Sequence, residues 1–200
     1  MKRSDWIQLS GWGLAVSGLL FMAGMAASTR PTYNPYNAAS WPVDPLLNRV
    51  DLILVTLGML LMSAGMAGLL ERFKNRASSL GRGGLVIGII AGLTSAVGAI
   101  GLGFSDSGPW WNLFMVGLLG VNLALVPFGI SCLRERLFTS WNGIPLVAGG
   151  VFFLFAVVSM GLVEWPETVV TSMFFFFAAS LGLIGYRLQS EAKGQQVAAV

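Results

Sequence analysis

The sequence contains no histidine and a single cysteine, Cys132. Without imidazole there is no histidine-ligated haem, no imidazole-bound zinc and no triad with histidine as base. One thiol excludes an intrachain disulfide and a CxxC redox pair. Charge is equally scarce. Asp, Glu, Lys and Arg make up 10% of the 200 residues, against about 25% in soluble domains. None of them lies deep within an apolar run, which argues against proton relays, voltage sensing and ion-coupled pumping, all of which use intramembrane charge. No Asn-x-Ser/Thr acceptor, Gly-x-Ser-x-Gly elbow or phosphate loop occurs. The chain therefore reads as a non-enzyme, with no catalytic residues, no metal ligands and no cofactor expected.

What remains is apolar. Hydrophobic residues account for 55% of the chain and the mean hydropathy is +0.74. A soluble domain could not cover that much apolar surface with so few polar groups. A transmembrane helix needs about 20 mostly apolar residues, and six stretches qualify: 6–27, 50–70, 84–103, 112–133, 144–163 and 168–187. These runs are too long and too little alternating for barrel strands. The expected fold class is all-α: a polytopic transmembrane bundle of six antiparallel spans. It forms one domain over 1–188, followed by a short disordered cytoplasmic tail at 189–200.

Orientation follows from Lys and Arg. Lys2, Arg3, Arg72, Lys74, Arg76, Arg82, Arg134, Arg136, Arg187 and Lys193 fall on one side of the six spans, and only Arg30 and Arg49 on the other. The positive-inside rule then places both termini in the cytoplasm, in a multi-pass protein of the cell membrane, with the bacterial inner membrane the expected one. Trp6, Trp12, Trp141 and Tyr186 would mark the inner interface. Tyr33, Tyr36, Trp41, Trp110, Trp111 and Trp165 would mark the outer one. The net charge of +3 sits in these short clusters, so it reads as a topology signal and not as a nucleic-acid surface.

Two features admit more than one reading. Every even-numbered span ends in a basic cluster, as three tandem helix hairpins would, although the positive-inside rule alone yields the same pattern. The N-terminal apolar stretch ending in Met25-Ala-Ala-Ser28 resembles a secretory signal. Its length from Trp6 and the presence of Asp5 favour retention as a span. The longest outer loop, 28–49, holds Pro31, Pro35, Pro42 and Pro45, which favour extended segments and turns. The outer acids Asp44, Asp51, Asp106, Glu164 and Glu167 are scattered over three loops, where capping and solvation account for them better than a cation site.

The third span carries the most specific pattern. Gly84, Gly88, Gly92 and Ala96 recur every four residues, and beside them run Ala91, Ser95, Ala99 and Gly103. Small residues permit close backbone approach where lipid supplies no hydrophobic drive between helices. The expectation is a helix at the centre of the bundle, packing on Ala64 and Gly68 of the second span and on Ala178, Gly182 and Gly185 of the sixth. In the fourth span, Asn122 lies five residues before Pro127. Asn122 is expected either to bond across to Thr94 or Ser95 as interhelical glue, or to form with them a solute-binding element. Phe174 to Phe177 read as lipid contact and core. The function expected is a non-catalytic structural or accessory subunit, with a transporter or binding module for a small neutral or apolar solute as the alternative. Its partners would be membrane lipids and other membrane subunits or further copies of the chain.

Overall fold

The computed structural model describes residues 3–28, 45–105, 108–159 and 167–197. Six helices follow one another, with no strand among the described residues: α1 (Arg3–Ser28), α2 (Pro45–Phe73), α3 (Ser79–Phe104), α4 (Gly108–Glu135), α5 (Ile144–Ser159) and α6 (Glu167–Val197). Four of them contain stretches long and apolar enough to cross a membrane: Asp5–Gly24, Arg49–Phe73, Ser79–Phe104 and Gly108–Glu135. Ile144–Phe155 is a shorter apolar helix. An all-helical chain with several such segments fits a membrane bundle, because a helix satisfies its backbone polar groups internally. Most of the Pro-rich loop, with Tyr33, Tyr36, Trp41 and Asp44, lies outside the described residues, as do Asp106, Glu164 and Trp165.

Several helices run past their apolar runs. α2 begins at Pro45, where the missing N–H of proline costs nothing in a first turn. α3 begins at Ser79 because Ser78 caps it, its hydroxyl accepting from the Gly81 N–H at 3.3 Å. α6 continues to Val197, ten residues past the apolar run that ends at 187. Glu, Ala, Lys and Gln are good helix formers, and Leu188 and Gln189 are buried. Gln189 packs on Gly11 of α1, so close that a Cβ at Gly11 would sit 2.7 Å from the Gln189 Cγ.

The helices form a ring in chain order. Each packs on its neighbours in sequence, and α1 closes the ring against α6. Within α1–α2, α2–α3, α3–α4, α4–α5 and α1–α6 the facing residues run in opposite directions, for example Gly24 with Val55 but Gly68 with Ser10. Large apolar side chains fill the interior, among them Leu14, Met59, Met62, Met66, Phe128, Phe152 and Phe177. Phe152 of α5 stacks on Phe177 of α6 at 4.7 Å between ring centroids. The tetraphenylalanine run is divided: Phe177 is core, whereas Phe175 and Phe176 are exposed.

α3 is a wall of this ring and not its centre. Val86, Ile87, Ile90, Leu93, Val97 and Ile100 are exposed along its outer side, the surface that lipid would cover. Its small residues meet α4 in a continuous seam, where Gly81 faces Ser131, Gly84 faces Ala124 and Phe128, Ser95 and Ala91 face Gly117, Gly98 faces Phe114 and Gly101 faces Trp110. With Gly88, which touches Ala124, the steps along α3 are all threes and fours, the spacing of a left-handed helix pair. A strict step of four overshoots a full turn by about 40° each time. The expected ridge therefore drifts. Gly84 packs on α4, Gly88 touches both Met66 and Ala124, and Gly92 packs on Ser63 and Met59 of α2. Gly103 has left the seam and meets only Leu52, at 3.9 Å. The small residues of α6 also serve another helix, since Gly185 and Ala178 face Gly11 and Gly18 of α1. Gly68 of α2 likewise faces Ser10 of α1.

Candidate functional site

The three polar residues singled out around the fourth span do not converge. Asn122 is fully buried, at 0% exposure. Its Nδ2 donates to the Leu118 carbonyl one turn back in α4, at 2.8 Å. Its Oδ1 has no hydrogen-bond partner. The adjoining backbone meets α5, where a Cβ at Gly149 would lie 2.6 Å from the Asn122 carbonyl oxygen. Ser95 is also at 0% exposure, and its Oγ donates across the α3–α4 seam to the Phe114 carbonyl at 3.0 Å. Thr94 is partly exposed and donates to Ile90 within its own helix at 2.9 Å. The expected bond from Asn122 to Thr94 or Ser95 is therefore absent. The rotation of α4 sets the cause: the face toward α3 is occupied by Gly117, Ala124 and Phe128, and Asn122 adjoins α5 at Gly149.

Other polar side chains in the helices behave as Thr94 does. Ser10, Ser17, Ser63 and Ser180 each donate to a carbonyl three or four residues earlier, which satisfies the hydroxyl locally. No group of three or more His, Cys, Asp or Glu able to hold a metal occurs among the described residues.

The most elaborate polar arrangement lies instead where the α2–α3 turn meets the α4–α5 loop. The Glu135 carboxylate, at the end of α4, accepts from the Ser78 N–H at 3.1 Å and from the Ser131 hydroxyl. The Ser78 hydroxyl donates to Ser131 Oγ at 3.1 Å. An acid thus sits at the N-terminus of α3, where the unpaired N–H groups favour negative charge. Beyond Glu135 the chain turns sharply, with Arg136 at φ 49 and Trp141 at φ 65, left-handed conformations that bulky residues seldom adopt. Phe138 and Asn142 exchange two bonds of 2.9 Å, backbone N–H to Oδ1 and Nδ2 to backbone carbonyl. They hold the loop so that Leu137 and Phe138 turn inward. Phe138 meets Phe73 edge-on at 5.1 Å and Phe128 at 6.5 Å, closing this end of the ring with aromatic rings.

The basic residues gather around this closure. Arg76 donates to the Arg136 carbonyl at 3.2 Å, Arg82 to the Lys74 carbonyl at 3.4 Å, and Lys74 pairs with Glu71 at 3.0 Å. The Arg187 guanidinium lies 5.7 Å from the Trp141 ring centre, a cation–π distance. Ser78, Ser131, Glu135 and Phe138 were not among the candidate residues of the sequence reading. A Ser directly before a helix start, three residues ahead of Gly81, is a visible cap signal, but a capping carboxylate over fifty residues away leaves none. No protein-family model, curated protein or solved structure matches the chain.

Proposed function

We infer that the chain is a multi-pass integral membrane protein that works as a non-catalytic structural or accessory subunit. Its six helices all serve as spans, with both termini and the basic end in the cytoplasm of a bacterial inner membrane. The observation that supports this reading most is the use of the interior polar groups. Ser63, Ser95 and Asn122 all donate to helix carbonyls, and between them the core is Phe, Met and Leu. The insertion of α1 between α2 and α6 supports its retention as a span. Partners would engage the lipid-facing surfaces or the basic end, and further copies of the chain are one form such a partner could take.

Reporter fusions test the topology. Fusions at residues 78 and 138 should report the cytoplasm, and fusions at 38 and 106 the outside. A periplasmic signal at 138 overturns the orientation.

One observation favours the alternative, a binding module for a small neutral solute: the buried Oδ1 of Asn122 without a partner. Buried polar atoms are usually satisfied, and a solute N–H or O–H could supply the donor. Asn122→Leu separates the two. An accessory subunit tolerates it, assembling and accumulating in the membrane as before. A solute-binding protein loses ligand-dependent stabilisation or uptake while staying folded.

A further inference from the structure

We propose that the junction of the α2–α3 turn with the α4–α5 loop is a binding site for the headgroup of an anionic phospholipid in the adjoining leaflet, held by Arg76, Arg82 and Arg136. The proposal rests on the membrane reading but not on which side faces the cytoplasm.

Geometry brings these residues together from separate elements. The left-handed backbone at Arg136 presents its carbonyl to the Arg76 guanidinium at 3.2 Å. That bond fixes the α2–α3 turn against the start of the α4–α5 loop. Arg82, one turn into α3, reaches back to the Lys74 carbonyl and so lies over the same turn. A guanidinium carries five N–H donors. Arg76 and Arg82 each donate to one backbone carbonyl, which leaves donors suited to paired contact with phosphate oxygens.

Local acids do not neutralise the cluster. Glu71 pairs with Lys74, and Glu135, turned to Ser78 and Ser131, sets one negative charge against three guanidinium groups. Arg76, Arg82 and Arg136 are all exposed, and no carboxylate pairs with them among the described residues. The depth suits a lipid headgroup. The cluster stands at the ends of apolar stretches of membrane-spanning length, Arg49–Phe73, Ser79–Phe104 and Gly108–Glu135. Trp141 is exposed in the same loop, at 58%, as an aromatic anchor at headgroup level would be. Basic residues at that level attract anionic lipid.

The test uses the full-length chain in bilayers of mixed phosphatidylglycerol and phosphatidylcholine. Flotation with vesicles first establishes insertion, so that a failure of the membrane reading is seen separately. Native mass spectrometry then counts the lipids retained per protein. The expected result is preferential retention of phosphatidylglycerol. The double variant R76Q/R136Q should lose that preference by roughly 5-fold per charge removed, and R82Q by a similar factor. R76K/R136K, which preserves charge, should retain most of it, and R49Q at the opposite end of α2 should leave it intact. The thermal midpoint of each variant confirms folding, and R82Q serves if the double variant does not fold. Equal retention of the two lipids by the native chain overturns the proposal, as does an unchanged preference in folded R76Q/R136Q or R82Q.

Discussion

The carboxylate of Glu135 accepts the backbone N–H of Ser78 at 3.1 Å, so the last residue of α4 caps the first turn of α3. Removing it should release both helix ends. Glu135→Ala is expected to lower unfolding stability in detergent by about 1–2 kcal/mol, the range for loss of a helix cap. Glu135→Gln keeps an acceptor and should cost less. Hydrogen exchange at the Ser78 amide provides the direct readout, with faster exchange in the Ala variant.

Two adjacent glycines of α3 should respond oppositely to the same methyl group. A Cβ at Gly84 would lie 2.7 Å from the Ala124 carbonyl oxygen and 2.8 Å from Pro127 Cγ, whereas one at Gly83 meets nothing within 4 Å. Gly84→Ala should therefore destabilise by about 1–3 kcal/mol through overpacking. Gly83→Ala should be neutral or stabilise by up to about 1 kcal/mol through helix propensity. Steric trapping or denaturant titration in micelles measures both, and equal effects would contradict the α3–α4 seam.

Phe138 closes one end of the ring at 4% exposure, while Phe176 of α6 is 39% exposed. Phe138→Ala should cost about 3–5 kcal/mol, as for buried aromatic truncations. Phe176→Ala should stay within about 1 kcal/mol in the same assay. A small effect at 138 would mean that the loop does not plug the bundle in solution.

The left-handed backbone at Arg136 sets stability against lipid capture. Glycine adopts this conformation freely, and the αL position after a helix is its usual place. Arg136→Gly is expected to raise the thermal midpoint, because the left-handed cost of about 1–2 kcal/mol for a non-glycine residue exceeds the roughly 0.5–1 kcal/mol entropic cost of glycine, while weakening phosphatidylglycerol retention. A variant that gains stability and keeps full lipid preference would remove Arg136 from the site.

The helices were legible because apolar runs of membrane length are separated by charge, proline or glycine. Their ends were less so. Counting apolar residues alone opens α3 at Gly84; the polar cap at Ser78 and the turn after it add the stretch from Ser79. The tail of α6 depends on Gln189 finding Gly11 of α1, a contact that periodicity within one helix does not announce. The same limit governs the site. The small residues of α3 point to a packing face, yet a four-residue ridge and a three-four seam coincide over only two turns, so the ridge leaves out Gly98 and Gly101 and takes in Gly103. Asn122 was legible as a buried amide. Its partner was not, because the rotation of α4 about its axis is set by Gly117 and Gly129 fitting against α3 and α5.

The closure of α1 against α6 joins helices that lie about 160 residues apart in the chain, as Gly18 and Ala178 do. Translation delivers about 5–20 residues per second, so the surface of α1 around Gly11 and Gly18 waits on the order of ten seconds for Gly185 and Ala178 to arrive. Throughout that interval α2 is the one described helix packed on α1, and its other face awaits α6. A chain cut before residue 167 lacks the surface that covers Gly11 and Gly18, and leaves that face of α1 open.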